Sequence, residues 1–242
     1  MSYADPTLVE LYAELHLLSG TLKPSAFFGT VPFLQEHGFG DVEMAEGGLF
    51  RLDPSDKSLQ PATHPRVRCW NEERTALVQI GEDLLVANIV GDYPGWNPFL
   101  EHLTVARDAL RSGLGEDPSI ASLSLNYIDR FYVPTEGYTL GKYLACDGTF
   151  VPSWYADATE TLDITLGRGL LKKEGFNRQV RVKVRFREEE DDIQVEFRTN
   201  LHDSLDGNDV DSVLERLHSE SNEIFEALIT DTTREQVMGG SS

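Results

Sequence analysis

The chain has 242 residues, 40% hydrophobic and 26% charged, a globular composition rather than a disordered or fibrous one. Its 41 acidic and 21 basic residues give a formal net charge of −20, a field that repels nucleic acid and anionic membrane at long range. No apolar run reaches the ~18 residues that cross a bilayer, and the first residues lack a secretory pattern. Two cysteines, Cys69 and Cys146, make no disulfide framework, so a cytoplasmic protein is expected.

In chain order, Val9, Leu11, Ala13, Leu15 and Leu17 alternate with Glu10, Tyr12, Glu14 and His16, the period of a half-buried strand. Residues 22–36 predict a short or kinked helix, with Pro24 tolerated in its first turn and Pro32 inside it. Residues 39–65 predict one strand around Val42 to Leu52, then a long loop from Asp53 to Pro65. Strands over Arg66 to Asn71, Thr75 to Ile80 and Leu84 to Val90, with polar reversals between them, read as a meander. Trp96, Phe99, Leu100, Leu103, Ala106 and Leu110 form one helical stripe, so residues 96–112 predict an amphipathic helix ending in Gly113-Leu114-Gly115. A long strand follows over Ile120 to Val133.

Residues 134–156 are a Gly- and aromatic-rich connection, the natural place for a seam. Beyond it, strands are predicted near Thr159 to Leu166, Val180 to Arg187 and Ile193 to Leu201, with Glu188 to Asp192 as a turn. A helix from about Asp209 to Val237 closes the chain, capped by Asn208 or Asp209. Strands joined by short reversals predict an α+β fold, a large mainly antiparallel sheet with amphipathic helices packed on one face. Residues 1–134 read as an N-terminal half and 135–238 as a three-strand-plus-helix half sharing one core, with 239–242 a flexible tail.

Three stretches stand in a distinctive order: Leu77-Val78-Gln79-Ile80-Gly81, Tyr93-Pro94-Gly95-Trp96 and Leu125-Asn126-Tyr127-Ile128-Asp129-Arg130-Phe131. With the closing Phe225 to Met238 segment, the chain from about residue 66 resembles a sporadically distributed family of uncharacterised prokaryotic proteins of similar length. That family more often has a basic residue where Asn126 stands and an asparagine where Asp129 stands. The resemblance implies a fold and a length rather than a reaction. The family's patchy occurrence is similar to that of defence-associated or toxin–antitoxin-like genes.

Chemistry-bearing patterns are few. The six histidines include no pair at zinc-helix spacing, neither cysteine belongs to a CxxC pair, and GxxxxGK[ST] and GxSxG are absent. No cofactor and no metal is expected, and the reading leans away from an enzyme. Asp203 to Asp209 superficially suggests a calcium loop but lacks the ligand spacing, so a turn and helix cap are expected. Trp96 could offer an exposed platform or the first core contact of its helix. Asn126, Asp129 and Arg130 form a polar cluster on one predicted strand, lining a pocket or, alternatively, an internal ion pair.

The strongest departure from the acidic background lies at residues 168–187. It carries Arg168, Lys172, Lys173, Arg178, Arg181, Lys183, Arg185 and Arg187 against one acid, Glu174. Period two places Arg181, Lys183, Arg185 and Arg187 on one strand face and Val180, Val182, Val184 and Phe186 on the other. Neighbouring acids could pair with that row internally. Left unpaired, Arg178, Arg181, Lys183, Arg185 and Arg187 would bind a partner. A non-enzymatic protein-binding or regulatory protein is therefore expected, with nucleic acid the alternative partner, disfavoured by net charge.

Overall fold

The computed structural model describes all residues except 1–3, 5, 19–23, 53–58, 146–161, 170–175, 208 and 240–242. Among the described residues nine strands are present: β1 (Leu8–Leu17), β2 (Asp41–Leu52), β3 (Leu59–Trp70), β4 (Ala76–Ile80), β5 (Leu84–Val90), β6 (Ile120–Pro134), β7 (Leu162–Gly169), β8 (Phe176–Arg187) and β9 (Asp192–Ser204). They form one antiparallel sheet in the order β2-β3-β4-β5-β1-β6-β9-β8-β7. Among the described residues the helices are α1 (Pro24–Glu36), α2 (Trp96–Leu114), α3 (Leu140–Tyr143), α4 (Val210–Leu228) and α5 (Asp231–Gln236). The predicted α+β class is thus what the structure has. Two compact units are present, residues 12–123 and residues 1–11 with 124–242. Of the predicted tail, residues 240–242 lie outside the described residues.

In the first unit, Ala13, Leu15 and Leu17 are buried as their alternation requires. The meander forms as β3-β4-β5, with Val67 opposite Ile80 and Val78 opposite Ala87. Residues 84–89 of β5 are all buried, so this strand shows no alternation. In α2, Phe99, Leu103, Ala106 and Leu110 are buried, and Gly115 at φ 76° ends the helix by donating its N–H to the Arg111 carbonyl. A Cβ on Gly29 of α1 would stand 3.4 Å from the Gly113 backbone, so the glycine lets the two helices approach closely.

The loop predicted from Asp53 to Pro65 is corrected. Its residues 59–65 belong to β3 and pair with β2 through Leu52 opposite Leu59 to Glu46 opposite Pro65. Pro61 and Pro65 argued against a strand, because proline cannot donate to a ladder. They are tolerated because β4 pairs only with Val67 to Trp70 of β3, leaving residues 59–66 without a described partner on that side.

In the second unit, β8 pairs with β7 and β9 in unbroken antiparallel register. Phe131, Val133, Val182, Val184, Ile193, Val195 and Phe197 form a core completed by Leu140, Tyr143, Leu144, Ile229 and Met238. Phe225 of α4 meets Phe197 edge-on, with ring centroids 6.3 Å apart. The single helix predicted over 209–237 is two helices. Ile229 leaves the helical path to bridge Leu144, and Thr230 caps α5 by accepting the Thr233 N–H while donating to the Lys142 carbonyl. The β-branched pair Ile229-Thr230 favours that break. At the start of α4, Asp209 accepts the Ser212 N–H at 2.9 Å, as expected of a cap.

Candidate anion-binding face

Alternation along β8 divides its side chains. Val182 and Val184 turn to the core, with Val180 and Phe186 packed against it, while Arg181 and Arg185 are exposed and Lys183 and Arg187 half-buried. The register sets Lys183 opposite Glu196, Arg181 opposite Arg198 and Arg185 opposite Gln194. On the far side of β9, Arg130 of β6 donates from Nε and Nη2 to Glu196 Oε2 at 3.1 and 2.7 Å. One polar face thus runs from β7 across β8 and β9 to β6.

Internal acids take part of the cationic row. Arg181 is held by Asp163 of β7, with Nε donating to Oδ1 at 2.8 Å. Arg187 donates to Asp192 at 2.7 Å, stands 3.6 Å from Glu190 and lies 4.2 Å over the Tyr132 ring. Hydrogen bonds from Arg181 hold the Asp163 carboxyl below its ordinary range. Lys183 and Arg185, in contrast, make no ion pair with a described acid. Lys172 and Lys173 lie outside the described residues.

Arg178 does not join this row, which corrects its assignment to partner binding. It stands on the even-numbered, core-facing side of β8 and is 6% exposed. Its guanidinium donates to Glu220 at 2.7 Å, to the His202 carbonyl at 2.8 Å and to Asp203 at 3.3 Å, and it lies 4.2 Å over the Phe176 ring. Arg216 donates to the same Asp203 oxygen at 2.8 Å. With Asp203 held by two arginines and Asp209 capping α4, those ends of the calcium-like stretch serve structure.

The predicted cluster of Asn126, Asp129 and Arg130 is divided between the faces of β6. Asn126 accepts from Asn200 and Arg130 pairs with Glu196, both toward the polar face. Asp129 points the other way, is 8% exposed and accepts the Thr7 hydroxyl at 2.9 Å. Burial pushes its carboxyl up to about 7, against the opposing hydrogen bond from Thr7. The three residues therefore share a strand and not a site. Trp96 stacks on Phe99 at 5.4 Å, the helix-start contact rather than a free platform.

What the face does contain is a bay of about 220 Å³ lined by Arg130, Lys183, Arg185, Gln194, Glu196 and Arg198. Glu196 forms its floor, 7% exposed, with Arg130 on one carboxylate oxygen and Arg198 Nε on the other at 2.8 Å. Burial alone would raise this carboxyl; the two guanidinium hydrogen bonds outweigh it and hold Glu196 below its ordinary value. Four cations around one ionised carboxylate leave a local charge of +3 (4 − 1) on a chain of charge −20. Arginine and lysine donors of this kind make charge-assisted hydrogen bonds to anionic oxygens.

No family model and no curated protein matches the chain. The site rests on its geometry. Sequence reading found Lys183 and Arg185 but assigned Arg130 to a separate cluster. Their meeting depends on β6 lying beside β9, a pairing across 66 residues that no local period encodes. Two further polar pairs arise the same way: Ser124 with His202 at 2.8 Å and Tyr127 with His218 at 2.6 Å. No helix of the described residues is long and apolar enough to cross a membrane.

Proposed function

We infer that this protein is a non-enzymatic binding protein that docks an acidic partner protein on the β8-β9-β6 face. One observation carries the reading. Lys183 and Arg185 make no ion pair with a described acid in a chain with nearly twice as many acids as bases, and Arg130 and Arg198 join them around one bay. An acidic protein has no shortage of carboxylates with which to neutralise a sheet face, so a patch left cationic is suited to an external anion. A cytoplasmic setting accords with a chain that has only two cysteines. A regulatory or accessory role, in a defence or toxin–antitoxin-like setting, accords with the resemblance of its three motifs.

The test is affinity capture from native cells with the natural chain and with a Lys183→Glu, Arg185→Glu, Arg198→Glu variant. A partner retained at low salt, released at high salt and lost with the variant supports the reading. A partner retained equally by the variant refutes it. Nucleic acid is the second reading, favoured by Tyr132, 46% exposed on the same face beneath Arg187 and able to stack on a base. An electrophoretic shift that survives conversion of Arg181, Lys183, Arg185 and Arg187 to serine removes that option.

A further inference from the structure

The geometry points to a phosphoryl group, carried on a side chain of the docking partner, as the anion seated in the bay of Arg130, Lys183, Arg185 and Arg198. This assignment rests on the docking reading and names the chemistry recognised.

Three features separate a phosphoryl group from a carboxylate. The first is charge. A local +3 is reduced only to +2 by a carboxylate, whereas a phosphorylated hydroxyl brings about −1.5 to −2 at neutral pH. The second is donor number and arrangement. Arg198 commits only its Nε–H to Glu196, and Arg185 and Lys183 donate no hydrogen bond to a described acid. Arg185 and Lys183 line the bay from β8 and Arg198 lines it from β9. Donors on two strands suit the three acceptor oxygens of a tetrahedral group better than a planar carboxylate, which one guanidinium fork satisfies. The third is size. At about 220 Å³ the bay holds roughly seven water volumes of about 30 Å³, room for a phosphoryl group and the carbon that carries it.

The floor explains why the site is ready before any ligand arrives. Glu196 clamps Arg130 and Arg198 from below through both of its oxygens, so neither guanidinium must be ordered on binding. Arg181 and Arg187, already held by Asp163 and by Asp192 with Glu190, flank the bay without lining it.

The experiment uses the full chain and fluorescence anisotropy with three probes. They are a labelled Gly-Glu-phosphoserine-Glu-Gly peptide, the same peptide with glutamate at its centre, and unlabelled inorganic phosphate as competitor. The phosphopeptide is expected to bind at least tenfold more tightly than the glutamate peptide. Its affinity should strengthen between pH 5 and 7.5 as the phosphoryl group takes its second charge near pH 6. Lys183→Ala with Arg185→Ala should abolish binding, and Arg111→Ala on α2, which is no part of this face, should leave it within about twofold. Equal affinity for the two peptides, both lost in the double variant, overturns the phosphoryl assignment and leaves acidic docking standing. Binding of neither peptide, or binding untouched by the double variant, overturns both. Inorganic phosphate competing as strongly as the unlabelled phosphopeptide overturns the assignment to a partner side chain in favour of a free ion.

Discussion

Asp129→Asn should flatten the fall in stability between pH 5 and pH 8. In the folded chain the Asp129 carboxyl, buried against Thr7, is raised from its ordinary 3.8 to about 7. A carboxyl raised in this way favours folding while protonated, and that contribution is lost as pH climbs from 3.8 through 7. Linkage with these two values gives a loss of about 2 kcal/mol at pH 5 and about 4 kcal/mol at pH 8, a difference of about 2–3 kcal/mol. His16, His102 and His218 act in the opposite direction. Burial lowers each, His102 to about 4, so each adds stability as pH rises through 6.5. Comparing the natural chain with the variant cancels the histidines. The asparagine still accepts the Thr7 hydroxyl through its Oδ1, and any cost of burying its amide is the same at both pH values. Urea unfolding followed by tryptophan fluorescence measures the four stabilities. The variant should gain about 2–3 kcal/mol on the natural chain between pH 5 and pH 8. An unchanged gap would show that Asp129 is not a neutral buried carboxyl at low pH, and the reasoning would fail.

Arg178→Ala leaves Asp203 and part of Glu220 uncompensated in a buried network and should cost about 3–5 kcal/mol, read as a lowered urea midpoint. Midpoint loss under 1 kcal/mol would mean that Arg216 alone satisfies Asp203. Phe197→Ala removes a fully buried ring that meets both Phe131 and Phe225, and should cost about 3–5 kcal/mol in the same assay. Asp209→Ala removes the α4 cap and should cost about 1 kcal/mol, with faster amide exchange at Ser212 than elsewhere in the helix.

Much of the architecture was legible because its signals are local. Alternation at residues 9–17 and 180–187, the stripe from Trp96 to Leu110 and the glycine stop at Gly115 each depend on neighbours a few residues away. β3 was misread because its two prolines forbid a central strand, and only the sheet order shows that they sit where β4 has ended. The closing helix was read as one because Phe225 to Val237 keeps a helical composition, while the break at Ile229 is set by distant Leu144 and Lys142. For the candidate site, parity along β8 delivered Lys183 and Arg185. It equally implied that Arg178, three residues before Arg181, turns inward. Arg130 was unreadable as a member because its partner, Glu196, is remote in sequence.

That remoteness has a further effect. The Arg130–Glu196–Arg198 clamp exists only after β6 has paired with β9, among the contacts that cost the most chain entropy to close and so tend to form late. Incompletely folded chains would carry the same charges scattered along a flexible polymer, without the floor that gathers them. A ligand selective for the assembled bay would therefore engage finished molecules and ignore immature ones.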